Sequence, residues 1–339
     1  MQKLQIPTLD LSLLYSGAIG VATVASQIRE SFRTFGFAYL TNHGIAEHLI
    51  AKMFQAAEEF HDLPLEAKNN IKQNEFFRGY LGSKASQVKS STQGQQKKPN
   101  LSEAFIVMHE VPESNYGGFL AGPNQWPQEM PHLKTLMTAY SEAMTQLALL
   151  IVQAFALAFD LEQHDLDDLF VAPTFFLRLH RYPAQSEESV KAQEYGVAPH
   201  TDIGFMTFVC QDDVGGLQVK HPETGEWVDV PYIANTFVLN AGDMLNRLTN
   251  GAYPSAIHRV LNKSNTPRYS IPFFFDPHLN KEIAPLRTFT QDRAALFPPV
   301  IYGDYVASRV KPNYAALQEE KFVAADELVI TPKSSGSKL

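Results

Sequence analysis

Thr174-Phe175-Phe176-Leu177-Arg178-Leu179-His180-Arg181-Tyr182 is the stretch at which the chain changes character. It follows Pro173 and is rich in aromatic and aliphatic residues, so it reads as a strand. Beyond it, short β-rich runs recur: Gly204–Cys210, Gly216–Val219, Thr236–Asn240, Ser255–Leu261 and Tyr269–Phe275. Gly215-Gly216, Glu223-Thr224-Gly225 and Ala241-Gly242-Asp243 separate several of them. Short strands at this spacing predict a sandwich or barrel.

Upstream of Pro173 the pattern is helical. Gly17–Phe35 carries an apolar stripe of Ala22, Ala25, Ile28 and Phe32, with Gly36 just past its end. Ala46–Phe60, Leu65–Lys72 and Pro131–Phe159 also read as helices, and Gly36–Leu40 as a short aromatic strand. Tyr302–Glu320 reads as a helix interrupted at Pro312. Helices first and strands later give an α+β chain with its β core in the second half. The expected division is a mixed N-terminal region at 1–170, a β core at 171–290 and a C-terminal helical segment and tail at 291–339. Gly82–Asn100 is poor in apolar residues and predicts a mobile loop, either a plain surface insertion or a lid beside the active site.

The formal net charge of −8 argues against nucleic acid or an anionic membrane as partner. The single Cys210 cannot form an internal disulfide and fits a reducing compartment, with the cytoplasm expected. The most apolar run, Met144–Phe159, is short for a bilayer and contains Thr145, Gln146 and Gln153, so a buried helix is expected. The chain ends Ser337-Lys338-Leu339, the form of a peroxisomal address or simply a polar tail. A monomer or weak homo-oligomer acting on a small molecule is expected.

His200-Thr201-Asp202 places two metal-binding side chains on one side of a strand end. A His-x-Asp pair is common by chance in a chain with eleven histidines. A third ligand must come from another strand, and His258 in Ala256-Ile257-His258-Arg259-Val260 is the best candidate. Two imidazoles and one carboxylate form the ligand set of a non-haem Fe(II) site with open positions. His221-Pro222-Glu223 reads instead as a hairpin tip. His43, His48, His61, His109, His132, His164 and His278 read as surface or structural residues.

Ten residues after His258 stands Arg268-Tyr269-Ser270. Arg268 and Ser270 share a strand face, and a guanidinium fork with a hydroxyl beside it suits a carboxylate. Tyr182 can add a phenolic donor from a facing strand. By the same parity, Phe274 should point into the barrel mouth. Arg178 and His180 share a face with Tyr182. Arg178 reads as an anchor for an anionic substrate group or as a structural ion pair. His180 reads as a pocket wall or a satisfied core histidine. Phe205 follows the His-x-Asp turn as core or substrate platform.

These segments, with Asn240-Ala241-Gly242-Asp243 and Ser255–Val260, resemble the isopenicillin N synthase-like group of Fe(II)- and 2-oxoglutarate-dependent oxygenases. Ile6–Asp10, Gly36–Ile45, Phe60–Pro64 and Arg78-Gly79-Tyr80 resemble that family's N-terminal signature. The resemblance spans about residues 5 to 320. It implies a double-stranded β-helix, or jelly roll, with helices outside. It implies Fe(II) on His200, Asp202 and His258, and the distal carboxylate of 2-oxoglutarate on Arg268 and Ser270 with Tyr182 helping. It implies O2 as oxidant, succinate and CO2 as products, and ascorbate as a reductant that keeps the iron active. Hydroxylation, desaturation and ring closure are the outcomes open to such an enzyme, with secondary metabolism as a setting. The family often has Asn where His180 stands. Its oxidase members keep the Arg-x-Ser pair without using 2-oxoglutarate, and a non-catalytic barrel is the third reading.

Overall fold

A computed structural model describes residues 6–89, 96–115 and 119–314. The first half supplies β1 (Thr8–Asp10), α1 (Ala18–Thr34), β2 (Phe37–Thr41), α2 (Glu47–Asp62), α3 (Leu65–Asn70), β3 (Gly79–Leu81), β4 (Glu103–Met108) and α4 (Leu133–Ala158). The second supplies β5 (Thr174–Tyr182), α5 (Glu187–Lys191), β6 (Val197–His200), β7 (Met206–Gln211), β8 (Leu217–Lys220), β9 (Trp227–Asp229) and β10 (Phe237–Ala241). It continues with α6 (Asp243–Leu248), β11 (His258–Val260), β12 (Arg268–Asp276), β13 (Glu282–Ile283), β14 (Val300–Ile301) and α7 (Tyr302–Asn313).

Two sheets face each other. The larger has the order β1-β2-β10-β7-β12-β5-β4-β3, and the smaller β6-β11-β8-β9. The middle of the larger sheet, β10-β7-β12-β5, and the whole smaller sheet are the two halves of a jelly roll, the fold expected from the strand spacing. The strands of the first half extend the larger sheet at both edges: β1 and β2 continue it beyond β10, and β3 and β4 beyond β5. The N-terminal region and the barrel therefore share one hydrogen-bonded sheet.

Helix α4 is long and apolar enough to cross a membrane. Here it packs on α1 and α2 and buries Tyr140, Met144, Ile151 and Phe155, so it is the core helix that its composition predicts. The buried stripe of α1 is Val21, Val24, Ala25, Ile28 and Phe32. Ala22, expected in that stripe, is exposed. The run expected as a strand over Ser255–Leu261 is paired only at His258–Val260. Ala241-Gly242-Asp243, read as a simple separator, opens α6. His221 occupies the predicted hairpin tip between β8 and β9, where its Nδ1 accepts from the backbone N–H groups of Glu223 and Thr224.

The segment 82–100 is described except for 90–95. Its described ends are tied down: Asn100 N–H donates to the Ser86 carbonyl, and Gln87 N–H donates to Asn313 at the end of α7. The helical expectation beyond Tyr314 and the Ser337-Lys338-Leu339 tail lie outside the described residues.

Candidate active site

The cavity lies between the two sheets and is walled by one face of β5 and one face of β12. Inward positions alternate on each strand, as strand geometry requires. Phe176, Arg178, His180 and Tyr182 come from β5, and Arg268, Ser270, Pro272 and Phe274 from β12. The register sets Arg268 opposite Tyr182 and Ser270 opposite His180. The predicted pocket residues Arg178, His180 and Phe274 therefore all reach the cavity.

His200, Asp202 and His258 come together at its inner end, with one ligand atom from each inside a 4.8 Å span. Asp202 Oδ1 lies 3.5 Å from His200 Nε2 and 3.8 Å from His258 Nε2. Both histidines turn Nδ1 toward a backbone carbonyl two residues earlier, His200 to Ala198 at 2.8 Å and His258 to Ala256 at 2.9 Å. A proton on Nδ1 leaves the Nε2 lone pair free for a metal. The other oxygen of Asp202, Oδ2, accepts from Thr207 Oγ1 at 2.5 Å and Asn240 Nδ2 at 2.7 Å. That leaves Oδ1 facing the imidazoles. Burial opposes the charge on Asp202, but His258, His200 and Thr207 outweigh it and hold the carboxyl well below the usual range. Two neutral-capable imidazoles and one ionised carboxylate with inward-facing lone pairs fit Fe(II).

The turn between Asp202 and β7 needs Gly204. A Cβ there would overlap Asp276 Oδ1, in a carboxyl that also accepts from Phe205 N–H and from the Tyr302 hydroxyl. Phe205 itself does not reach the cavity, which corrects its reading as a substrate platform. Its ring is fully buried, edge-on to Phe155 of α4 and to Phe170. The turn points it into the core.

Arg268 is 1 % exposed. Its guanidinium stacks over the Tyr182 ring at 4.7 Å, and Nη2 donates to Gln211 Oε1 at 3.2 Å. Its Nε and Nη1 have no hydrogen-bond partner among the described residues. A buried cation with free donors is costly unless an anion meets it. Ser270 Oγ and the Tyr182 hydroxyl lie 3.2 Å apart beside it. These groups fit a carboxylate of 2-oxoglutarate.

His180 is buried and stacked on Tyr182 with ring centroids 5.3 Å apart. Burial, and then the charges of Arg178 and neighbouring groups, push its pKa well below the ordinary value, so it is a neutral imidazole in the pocket wall.

Several site residues escaped the sequence reading. Asn240, Thr207 and Gln211 orient the ligands and the arginine, while Phe77, Val88 and Tyr314 close the cavity from the first half and from the end of α7. Parity along β7 offers a signal for Thr207, Val209 and Gln211, all three of which line the cavity or touch its arginine. No local signal places Phe77 or Tyr314, which reach the site from sequence-distant elements.

Comparisons with known proteins agree with this geometry. Residues 6–129 match the N-terminal family model of the non-haem dioxygenases described for morphine synthesis. Residues 173–277 match the 2OG-Fe(II) oxygenase superfamily. The chain is 32 % identical to the 2-oxoglutarate-Fe(II) type oxidoreductase hxnY of Emericella nidulans, over 95 % of this chain and 94 % of that protein. It is also 32 % identical to the homoarginine-6-hydroxylase 2-ODD-C23.1 of Arabidopsis thaliana, over 91 % and 98 % respectively. Among solved structures, a full-length Neurospora crassa protein in complex with alpha-KG superposes with a TM-score of 0.79 at 29 % identity, covering 90 % of this chain and 95 % of that one. With its jelly roll, its His-Asp-His iron site and relatives matched over nearly their whole length, the chain belongs to the Fe(II)- and 2-oxoglutarate-dependent oxygenases.

Proposed function

We propose that the chain hydroxylates a small organic molecule held in the cavity between the two sheets, against the inner faces of β5 and β12, with Fe(II) on His200, Asp202 and His258. In this reading 2-oxoglutarate lies with its distal carboxylate on Arg268 and Ser270 and with Tyr182 alongside. The bound iron supplies O2 activation coupled to decarboxylation of 2-oxoglutarate, with succinate and CO2 released. The chain's own residues hold the co-substrate, orient the substrate and exclude water. The observation that carries the assignment is the Arg268 guanidinium, fully buried and with two nitrogens unpartnered among the described residues. Relatives named for homoarginine and a neighbour solved with thymine support a small-molecule substrate. We further propose a monomer or weak homo-oligomer, and that it uses neither nucleic acid nor a membrane, the latter in line with the net charge of −8 and the burial of α4.

Anaerobic titration of Fe(II) and 2-oxoglutarate into the protein tests this reading through the weak visible charge-transfer band of the chelate. The band is expected in the wild type and should weaken strongly in Arg268→Ala. Iron binding without a band would replace this reading with that of an oxidase whose own substrate fills the Arg268 clamp.

A further inference from the structure

The cavity holds a second arginine that has no acid partner among the described residues. Arg178 faces inward from β5, four residues before Tyr182, so it stands roughly 13 Å along the strand from the Arg268 clamp. Its guanidinium carbon lies 4.7 Å from the centre of the Phe274 ring and 5.6 Å from that of Phe77. Nη1 donates to the Tyr314 hydroxyl at 3.3 Å, a long and neutral contact. Nε is buried without a partner among the described residues. The acids among the described lining residues are Asp202 and Asp276. Asp202 faces the iron-binding imidazoles, and both oxygens of Asp276 are engaged by Phe205 N–H and the Tyr302 hydroxyl. Neither pairs with Arg178.

Other buried or half-buried arginines do not line the cavity, although Arg181 and Arg247 also bury an Nε without a partner among the described residues. Arg78 donates to three backbone carbonyls, Arg181 pairs with Glu103, and Arg247 donates to the Pro298 carbonyl. Among the described residues, Arg178 alone shares with Arg268 the combination of a cavity position, an aromatic stacking partner and a free buried donor. From the segment 82–100, Ser86, Gln87, Val88 and Asn100 form part of the cavity wall and bring no acid to it.

We propose that Arg178 is a specificity residue that takes the carboxylate of the substrate, so the enzyme acts on small carboxylic acids whose apolar body lies against Phe77 and Phe274. The proposal rests on the placing of 2-oxoglutarate at Arg268, which leaves Arg178 for the second anion. Aromatic faces on the guanidinium hold the fork rigid and keep its edge for the ligand.

The test uses the full chain loaded with Fe(II) and 2-oxoglutarate under nitrogen, so that binding is read without turnover. Phenylacetate, cinnamate and hexanoate are titrated calorimetrically beside their primary amides. At least one acid should bind on the order of tenfold or more tighter than its amide, the scale of a charge-assisted pair. Arg178→Met should abolish that preference while the charge-transfer titration of 2-oxoglutarate stays as in the wild type. Arg178→Lys, which keeps the charge and loses the fork, should retain part of it, and it serves if the Met variant does not fold. Equal binding of every acid and its amide overturns the proposal, as does an acid preference that survives in Arg178→Met. Weakening of 2-oxoglutarate in Arg178→Met to the extent seen in Arg268→Ala also overturns it, by assigning Arg178 to the co-substrate. Failure of the wild type to bind 2-oxoglutarate would instead sink the underlying functional reading, and the two failures are told apart by the band.

Discussion

His200 and His258 are direct cross-strand partners on β6 and β11, with their rings 4.3 Å apart. The ladder between the strands fixes the separation of the two imidazoles, and each ring is pinned through Nδ1 by a carbonyl of its own strand or the residues leading into it. Iron geometry on this side is therefore a property of the backbone. The third ligand is held differently, by the side chains of Asn240 and Thr207 on Asp202 Oδ2.

Asn240→Ala should accordingly raise the dissociation constant for Fe(II) about 10- to 100-fold, the usual cost of losing a ligand-orienting hydrogen bond. The fold should survive, because the β10 ladder is made by backbone groups. Anaerobic Fe(II) titration checks this, and an unchanged affinity would mean that Thr207 alone orients the carboxylate.

Gln211 stands between Arg268 and the β9–β10 connection. Its Nε2 donates to the Val230 carbonyl at 3.2 Å, which turns Oε1 toward the guanidinium. Gln211→Met removes the hydrogen bond to Arg268, of about 1 kcal/mol, together with those to the Val230 and Pro231 carbonyls, and keeps the volume. The KM for 2-oxoglutarate should rise several-fold with kcat nearly constant. Arg268→Ala should cost far more, since it removes the charge itself. Equal effects of the two substitutions would contradict a supporting role for Gln211.

The metal triad and the Arg-x-Ser pair were legible because strand parity and ligand chemistry act over two residues. The order of the sheet was not. Strand β4 is buried at all six positions, so Glu103–Met108 shows no alternation to separate strand from helix. Phe205, open to both readings in the sequence, is core and not a substrate platform: it directly follows the His-Asp turn, yet Gly204 and the buried Asp276 turn its ring away from the site. Phe77 and Tyr314 meet in the cavity from positions more than 200 residues apart, their rings edge-on at 4.6 Å. Only tertiary packing brings them there.

Gly204 offers a sharp test of that turn. Any side chain there must displace the Asp276 carboxyl, whose two hydrogen bonds anchor the Phe205 backbone and Tyr302 of α7. Gly204→Ala should destabilise the protein by on the order of 3 kcal/mol and weaken Fe(II) binding, because Asp202 lies two residues away. Urea unfolding and iron titration measure the two effects. A stable Gly204→Ala protein with normal iron affinity would show that the turn has room to relax.

Glu103 ties the added strands to the barrel and should dominate the acid limb of stability. Its Oε1 accepts from Arg181 of β5 at 2.8 Å, and Oε2 accepts from the Tyr80 hydroxyl of β3, with Lys68 and His61 each 3.7 Å away. Burial opposes the charge, but His61, Tyr80 and Arg181 outweigh it and hold the carboxyl well below its ordinary value of 4.5. With the folded-state pKa depressed, the unfolded chain takes up this proton first. The stabilisation is thus complete above about pH 5 and is lost as the pH falls through 4.5 and below. Glu103→Gln should cost roughly 2–4 kcal/mol at pH 7, since it leaves Arg181 and Lys68 without their acid. The deficit should shrink steadily as the pH is lowered from about 5 to about 3. Urea midpoints measured across that range for both proteins decide the matter: converging curves are expected, and a constant gap would mean that Glu103 acts through packing and not through its charge.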